Sequence, residues 1–232
     1  MTLDAEWVSD QARYLLEDGQ VSAFKVGDMG SAENAAAIAE IVADYPDVPL
    51  ILAPTQRQIA GEVQDSEEID YAIAELLVPQ TSLLIAKYRM LGAYMSGYEG
   101  RKSRGAHDPL TTLAHLLSVG CEYVLTTESH EQSLHIHQSL YGFDEHDAIT
   151  LLSKSQWNKV PHHFFGKTDT LATSVAALLA NGFVMPEAVG RAQIYLQKTL
   201  LSGYRLGMGK LTPDRLFWAQ DEEEDNPLPS LH

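Results

Sequence analysis

Four short and nearly continuous apolar runs, Ala23–Val26, Val48–Leu52, Leu83–Ala86 and Tyr123–Thr126, recur along the chain at spacings of tens of residues, with helical periodicities between them. A strand that does not alternate apolar with polar residues is covered on both faces, so these runs require helices above and below one parallel sheet. The intervening segments carry their own start and stop signals. Ser31 is placed to cap a helix over Ala32–Asp44, in which Ala35, Ile38, Ala39 and Val42 share one stripe. Asp108 and Pro109 open a second helix over Pro109–Val119, with Leu110, Leu113 and Leu117 inward and Gly120 as its stop. The first residues read as a helix, Ala5–Leu16, ahead of the first strand. Beyond Thr126 the pattern changes: Ile136–Phe143 and Ala148–Ser153 flank the turn-like Asp144-Glu145-His146-Asp147, which predicts an antiparallel hairpin on the sheet edge. Two helices follow, Asp169–Ala180 and Pro186–Leu201, joined at Asn181-Gly182 and ended at Ser202-Gly203.

At 232 residues and 45% hydrophobic composition, this is enough chain for one sizeable core, which predicts a single domain over 1–218. The acidic run Asp221–Asp225 and the prolines after it predict a solvated, disordered tail over 219–232. Sixteen basic residues against 32 acidic ones give a net charge of −16, which argues against nucleic acid and anionic membrane surfaces as partners. The longest apolar stretches, such as Leu171–Leu179, are interrupted by polar residues and fall short of the roughly 20 residues that a spanning helix needs. The acidic first ten residues contain no apolar signal core, so a cytoplasmic location is expected. The single cysteine, Cys121, excludes a disulfide framework and a thiolate metal site, and is expected to be a packing residue.

The segment richest in chemistry is Phe165-Gly166-Lys167-Thr168-Asp169-Thr170-Leu171, where a glycine-bearing loop runs directly into a strong helix. A helix start presents unpaired N–H groups and the positive end of the helix dipole, a natural seat for a phosphate. Gly166, Lys167 and Thr168 are the candidate anion-binding residues. Asp169 is the candidate base for a substrate hydroxyl. A plainer role stays open: Thr168 or Asp169 acting only as an N-cap, worth about 1 kcal/mol.

Several motifs surround this loop in a characteristic order. Phe24-Lys25-Val26-Gly27-Asp28-Met29-Gly30-Ser31, Leu76-Leu77-Val78-Pro79, Leu140-Tyr141, the Gly166–Leu171 loop, Asn181-Gly182 and Pro186–Val189 together resemble the ribokinase-like superfamily. More narrowly they resemble the hydroxymethylpyrimidine/phosphomethylpyrimidine kinases of thiamine biosynthesis, over about Trp7–Trp218. The resemblance implies a three-layer α/β fold, with a mostly parallel central sheet, an antiparallel edge hairpin and helices on both faces. It implies ATP and magnesium as cofactors by family only. It also implies that the family's first strand and glycine-rich pyrimidine segment have no counterpart here, unless another chain supplies them.

Departures from the family pattern fall where its chemistry resides. The family's Asp-Pro-Val is Ala53-Pro54-Thr55 here. Its Thr-Pro-Asn-x-x-Glu, whose polar groups organise magnesium and phosphates, is Ile85-Ala86-Lys87-Tyr88-Arg89-Met90. Its Thr-Gly-Gly-His is Thr127-Glu128-Ser129-His130, and the second glycine of its anion hole is Thr168. Ala53, Lys87, Met90 and Thr127 are thus the vestige of a nucleotide site, and reduced or lost kinase activity is expected, with binding of a small molecule or a protein partner as the remaining role. Two alternatives stay open: an active, diverged small-molecule kinase using Asp169, and a purely structural or interaction protein.

His130, His135 and His137 include an H-x-H pair, but without a nearby cysteine or a His-Glu-x-x-His helix no metal site is assigned. His162-His163, just before the loop, are either ligand contacts or solvated. The basic segment Lys87, Arg89, Arg101, Lys102 and Arg104 is either a site for phosphate or an acidic partner, or a solvated loop. Tyr88, Tyr94 and Tyr98, with Met90 and Met95, sit on a predicted helix as core, ligand wall or homodimer interface.

Overall fold

The computed structural model describes residues 3–54, 66–95, 109–128, 133–160 and 162–219. Thr55, Tyr98, Arg101, Lys102, Arg104, Asp108, Ser129, His130 and the acidic run 221–225 lie outside the described residues.

The four apolar runs become parallel strands β1 (Phe24–Val26), β2 (Leu50–Leu52), β3 (Leu83–Lys87) and β4 (Tyr123–Glu128). The sheet continues with antiparallel β5 (His135–Phe143) and β6 (Ile149–Asn158), and its spatial order follows the sequence order from β1 to β6. Side chains alternate between two cores. Leu50, Leu52, Leu84 and Val124 point to one side, into a cluster with Ala35, Ala39, Leu113 and Leu116. Ile51, Ala53, Leu83, Ile85 and Leu125 point to the other, against Leu171, Val175, Ala188 and Leu196. Burial on both faces explains why these strands lack alternation.

The helices are α1 (Ala5–Asp18), α2 (Ala32–Ala43), α3 (Ser66–Ala72), α4 (Pro109–Ser118), α5 (Lys167–Ala180) and α6 (Met185–Leu201). Ser31 caps α2 as the sequence predicts, accepting from the Asn34 N–H at 3.2 Å. Asp4 caps α1, which packs on α2 but buries none of its own residues. Helix α3 continues through a π turn, Ile73–Leu77, and a 3-10 turn, Val78–Gln80. Among the described residues, no helix is long and apolar enough to cross a membrane.

Several boundaries differ from the sequence reading. Strand β6 runs to Asn158 because an edge strand with one wet face reads as polar: Lys154, Gln156 and Asn158 point outward from it. Leu110 is exposed, and Leu116 completes the buried stripe of α4 with Leu113 and Leu117. The expected helix after β3 is a 3-10 segment, Tyr88–Tyr94, in which Leu91 and Tyr94 are buried and Met90 is partly exposed. Cys121 is buried and bonded to the Tyr123 carbonyl, and burial pushes its thiol up to about 12, as befits a packing residue.

Gly120 ends α4 with φ of 123°, and a Cβ there would lie 2.5 Å from the Pro79 carbonyl oxygen. Gly120→Ala is therefore expected to destabilise by more than about 1 kcal/mol, whereas Gly207→Ala, with open space around it, is expected to be nearly neutral. Leu84→Ala in the central strand should cost about 2–5 kcal/mol. Urea unfolding of the three variants checks the ranking.

Candidate functional site

In an open parallel sheet the strands' carboxyl ends are where ligands gather. Here β1, β2, β3 and β4 end at Val26, Leu52, Lys87 and Glu128, and β6, parallel to β4, ends at Asn158 on the same edge. Helix α5 packs beneath this edge against β1 and β2.

The start of α5 differs from both plain-cap alternatives. Gly166 is the N-cap, in the left-handed conformation with φ of 68°, and no side chain caps the first turn. Lys167, Thr168 and Asp169 are the first helical residues, and the first i to i−4 bond runs from the Thr170 N–H to the Gly166 carbonyl at 2.8 Å. Thr168, which stands where the family pattern has a glycine, lies within the helix with no positive φ. The N–H groups of this turn are left without a capping side chain, as an anion seat requires.

Asp169 is gripped from β1: Lys25 Nζ lies 2.5 Å from its Oδ1. Gly27 makes room for the pair, since a Cβ there would sit 2.8 Å from Lys25 Nζ. Asp169 also lines a cavity of about 150 Å³ with Thr170, Thr173, Ser174, Tyr195 and Arg215. Arg215 donates to Thr170 Oγ1 at 3.1 Å, while its carbonyl accepts from the Tyr195 hydroxyl at 2.8 Å. The same guanidinium lies over Gly166, where a Cβ would come within 3.0 Å of it.

Lys167 is surrounded by like charge. Desolvation of its ammonium, and then repulsion from Lys87, Lys159 and Lys210, lower its pKa from the ordinary value. Lys210 lies over the Phe165 ring, 5.0 Å from its centroid. The segment carrying Lys210 is pinned beside the loop by bonds from the Phe165 N–H to the Leu211 carbonyl and from the Leu211 N–H to the His163 carbonyl.

The remaining sequence-predicted residues are arranged along the same edge. Ala53, just after β2, is fully buried among Leu171 and Ile85. Lys87 ends β3 exposed, opposite Thr127 in β4. Thr127 is tied into packing: its Oγ1 accepts from Gln138, whose side-chain oxygen accepts from Gln193. Met90 sits in the turn after Lys87. His135 and His137 face the same side of β5 with ring centroids 6.4 Å apart. His162 and His163 are exposed.

Sequence reasoning missed Lys25, Lys159, Lys210, Tyr195 and Arg215. Lys25 carried a signal, because a charge inside an apolar strand run needs a partner. The others lie on an outer helix face or in irregular chain, where no periodicity marks them.

This architecture defines an α/β protein of the ribokinase-like class. A family model for phosphomethylpyrimidine kinase matches residues 1–214, and the chain belongs to that family. It is 27% identical over 224 residues to a hydroxymethylpyrimidine/phosphomethylpyrimidine kinase of Streptomyces coelicolor, covering 95% of this chain and 77% of the relative. Its fold is similar to that of a Staphylococcus aureus pyridoxal kinase in complex with pyridoxal, with TM-score 0.74 at 17% identity over 94% of this chain and 76% of the other. A phosphomethylpyrimidine kinase from Clostridium difficile matches with TM-score 0.60 at 18% identity, over 84% and 76% of the two chains.

Because the folded pKa of Lys167 lies below 10.5, the unfolded chain binds the extra proton between the two values, and stability rises with pH across that interval. Lys167→Gln removes the effect, so the variant should be more stable than the parent at pH near 8 and lose that advantage towards pH 10.5. Thermal unfolding of both proteins across this range is the check. Lys25→Met should lower stability by only about 1 kcal/mol or less, because the 45%-exposed Asp169 is readily rehydrated; urea unfolding at neutral pH reads this directly.

Proposed function

We propose that this protein holds a phosphorylated small molecule at the start of α5, as a phosphomethylpyrimidine kinase-like protein related to thiamine biosynthesis whose ATP-dependent phosphoryl transfer is lost or much reduced. The observation that carries the reading is the start of α5, where Gly166 leaves the first turn without a capping side chain and Lys167, its first residue, stands within electrostatic reach of Lys87, Lys159 and Lys210, in a chain of net charge −16. Gly166, Lys167 and Thr168 supply the anion seat, and the ammonium groups supply counter-charge.

Phosphoryl transfer depends almost wholly on positioning and charge stabilisation. At this edge the positions corresponding to the family's phosphate and magnesium organisers carry a buried methyl, Ala53, an ammonium, Lys87, and a thioether, Met90. Thr127 is committed to Gln138. The cavity beside Asp169, about 150 Å³, is also small against the roughly 300–1,000 Å³ of typical ligand pockets. These features favour retention of a phosphate-bearing ligand over turnover of ATP. The binding unit in this reading is one domain spanning 1–218.

One observation favours a second reading, an active diverged kinase. Lys25 holds the Asp169 carboxylate against an open cavity, where it can take the proton of a substrate hydroxyl as the hydroxyl oxygen bonds to phosphorus and the bond from phosphorus to the ADP oxygen breaks.

Calorimetric titration with ADP and with hydroxymethylpyrimidine phosphate, alongside a coupled kinase assay, separates the readings. Binding of a phosphate-bearing ligand with turnover far below about 1 s⁻¹ is the expected result. Turnover at or above that rate, abolished by Asp169→Asn, would establish the second reading. Failure of both ligands to bind would leave a scaffold for protein contacts.

A further inference from the structure

We infer that Arg215 selects the ligand of this protein: its guanidinium, held from behind, presents its two open amino ends to the cavity between α5 and α6, which takes a single phosphate group and not the phosphate chain of a nucleotide. The inference rests on the phosphate-binding reading above and deepens it.

Arg215 is exposed, yet its backbone and its side chain are both fixed. The Asp214 N–H before it donates to the Thr199 carbonyl at 2.9 Å, and the Leu216 N–H after it donates to Asp214 Oδ1 at 3.0 Å. Its own carbonyl accepts from the Tyr195 hydroxyl at 2.8 Å, and its Nε donates at 3.1 Å to Oγ1 of Thr170, a buried residue. The guanidinium reaches from Thr170 back towards Gly166, where a Cβ would come within 3.0 Å of Nη2. A long side chain ordinarily loses rotamer freedom when it binds, and here the fold has already removed that freedom.

The end left open is the one that faces the cavity. Among the described residues, neither Nη1 nor Nη2 bonds a carboxylate or another acceptor. Asp169, the carboxylate that lines the same cavity, is paired with Lys25 from β1, which offsets its charge. The Ser174 and Tyr195 hydroxyls donate to the Thr170 and Arg215 carbonyls, so they stabilise the wall and not a ligand. Of the residues lining the cavity, Arg215 alone is cationic, and the Thr173 hydroxyl beside it is a further donor. A rigid guanidinium with both amino groups open offers paired N–H donors, the arrangement that matches two oxygens of one phosphate.

Size sets the class of ligand. The cavity holds about 150 Å³, whereas one liquid water takes about 30 Å³ and pockets for whole organic ligands run from roughly 300 Å³ upward. One phosphate group fits, with the rest of its ligand outside; a base, a ribose and a phosphate chain do not.

The test is calorimetric titration of the whole protein with inorganic phosphate and with ADP, at low ionic strength, for the parent and for Arg215→Gln, Arg215→Lys and Arg205→Gln. Arg205 belongs to the same segment but bonds the Gly209 carbonyl and lies outside the cavity lining, so it controls for net charge. Arg215→Gln should weaken phosphate binding about tenfold or more, and Arg215→Lys, which keeps the charge and loses the fork, about threefold or more. Arg205→Gln should bind as the parent does, ADP should bind the parent no more tightly than phosphate, and melting temperatures should change little. Parent-like affinity in Arg215→Gln would overturn the inference and leave phosphate binding at α5 standing. If Arg215→Gln does not fold, Arg215→Lys decides, and parent-like affinity there contradicts the assignment. ADP bound roughly tenfold or more tightly than phosphate would overturn the single-phosphate class. No phosphate binding by the parent would overturn both readings.

Discussion

Burial of four parallel strands on both faces is the constraint from which the rest of the structure follows. Leu50, Ile51, Leu52, Leu83, Leu84, Val124 and Leu125 are all fully buried, so neither face of the sheet can accept polar chemistry. Function is driven to the strands' carboxyl edge, the one part of the parallel sheet where backbone groups, loop turns and a helix start meet. Helix α5 is bound into one core through Leu171, Ala172 and Val175, which aims its first turn at that edge. The left-handed turn at Gly166 completes the placement.

What the edge holds is mostly positive charge. Lys25 is satisfied by Asp169, while repulsion from Lys87, Lys159 and Lys210 adds to the desolvation that lowers the Lys167 pKa. Position-by-position resemblance to a kinase family reads Ala53, Lys87 and Met90 as losses. Amines compensate phosphate charge without the coordination geometry that in-line transfer demands, so binding can outlast catalysis.

Legibility in the sequence followed burial. The doubly buried strands and the small-residue stripe of α2 announced themselves because packing on both sides leaves no polar residue to disturb the pattern. Strand β6 extends past the Ser153 end that the sequence suggests because its outward residues, Lys154, Gln156 and Asn158, are of loop type. The start of α5 is legible through Gly166, which holds the N-cap in place of the open alternatives Thr168 and Asp169, and Asp169 pairs across 144 residues of sequence with Lys25. Lys210 and Arg215 were invisible because the Phe164–Leu211 bridge that returns them to the site leaves no local periodicity.

Crystals of the protein grown with inorganic pyrophosphate test the central claim most directly. The account predicts density for the anion at the first turn of α5, in contact with the Lys167 ammonium and the N–H groups that follow Gly166. An empty helix start covered by the Arg215 guanidinium, with pyrophosphate bound elsewhere on the surface, would contradict it.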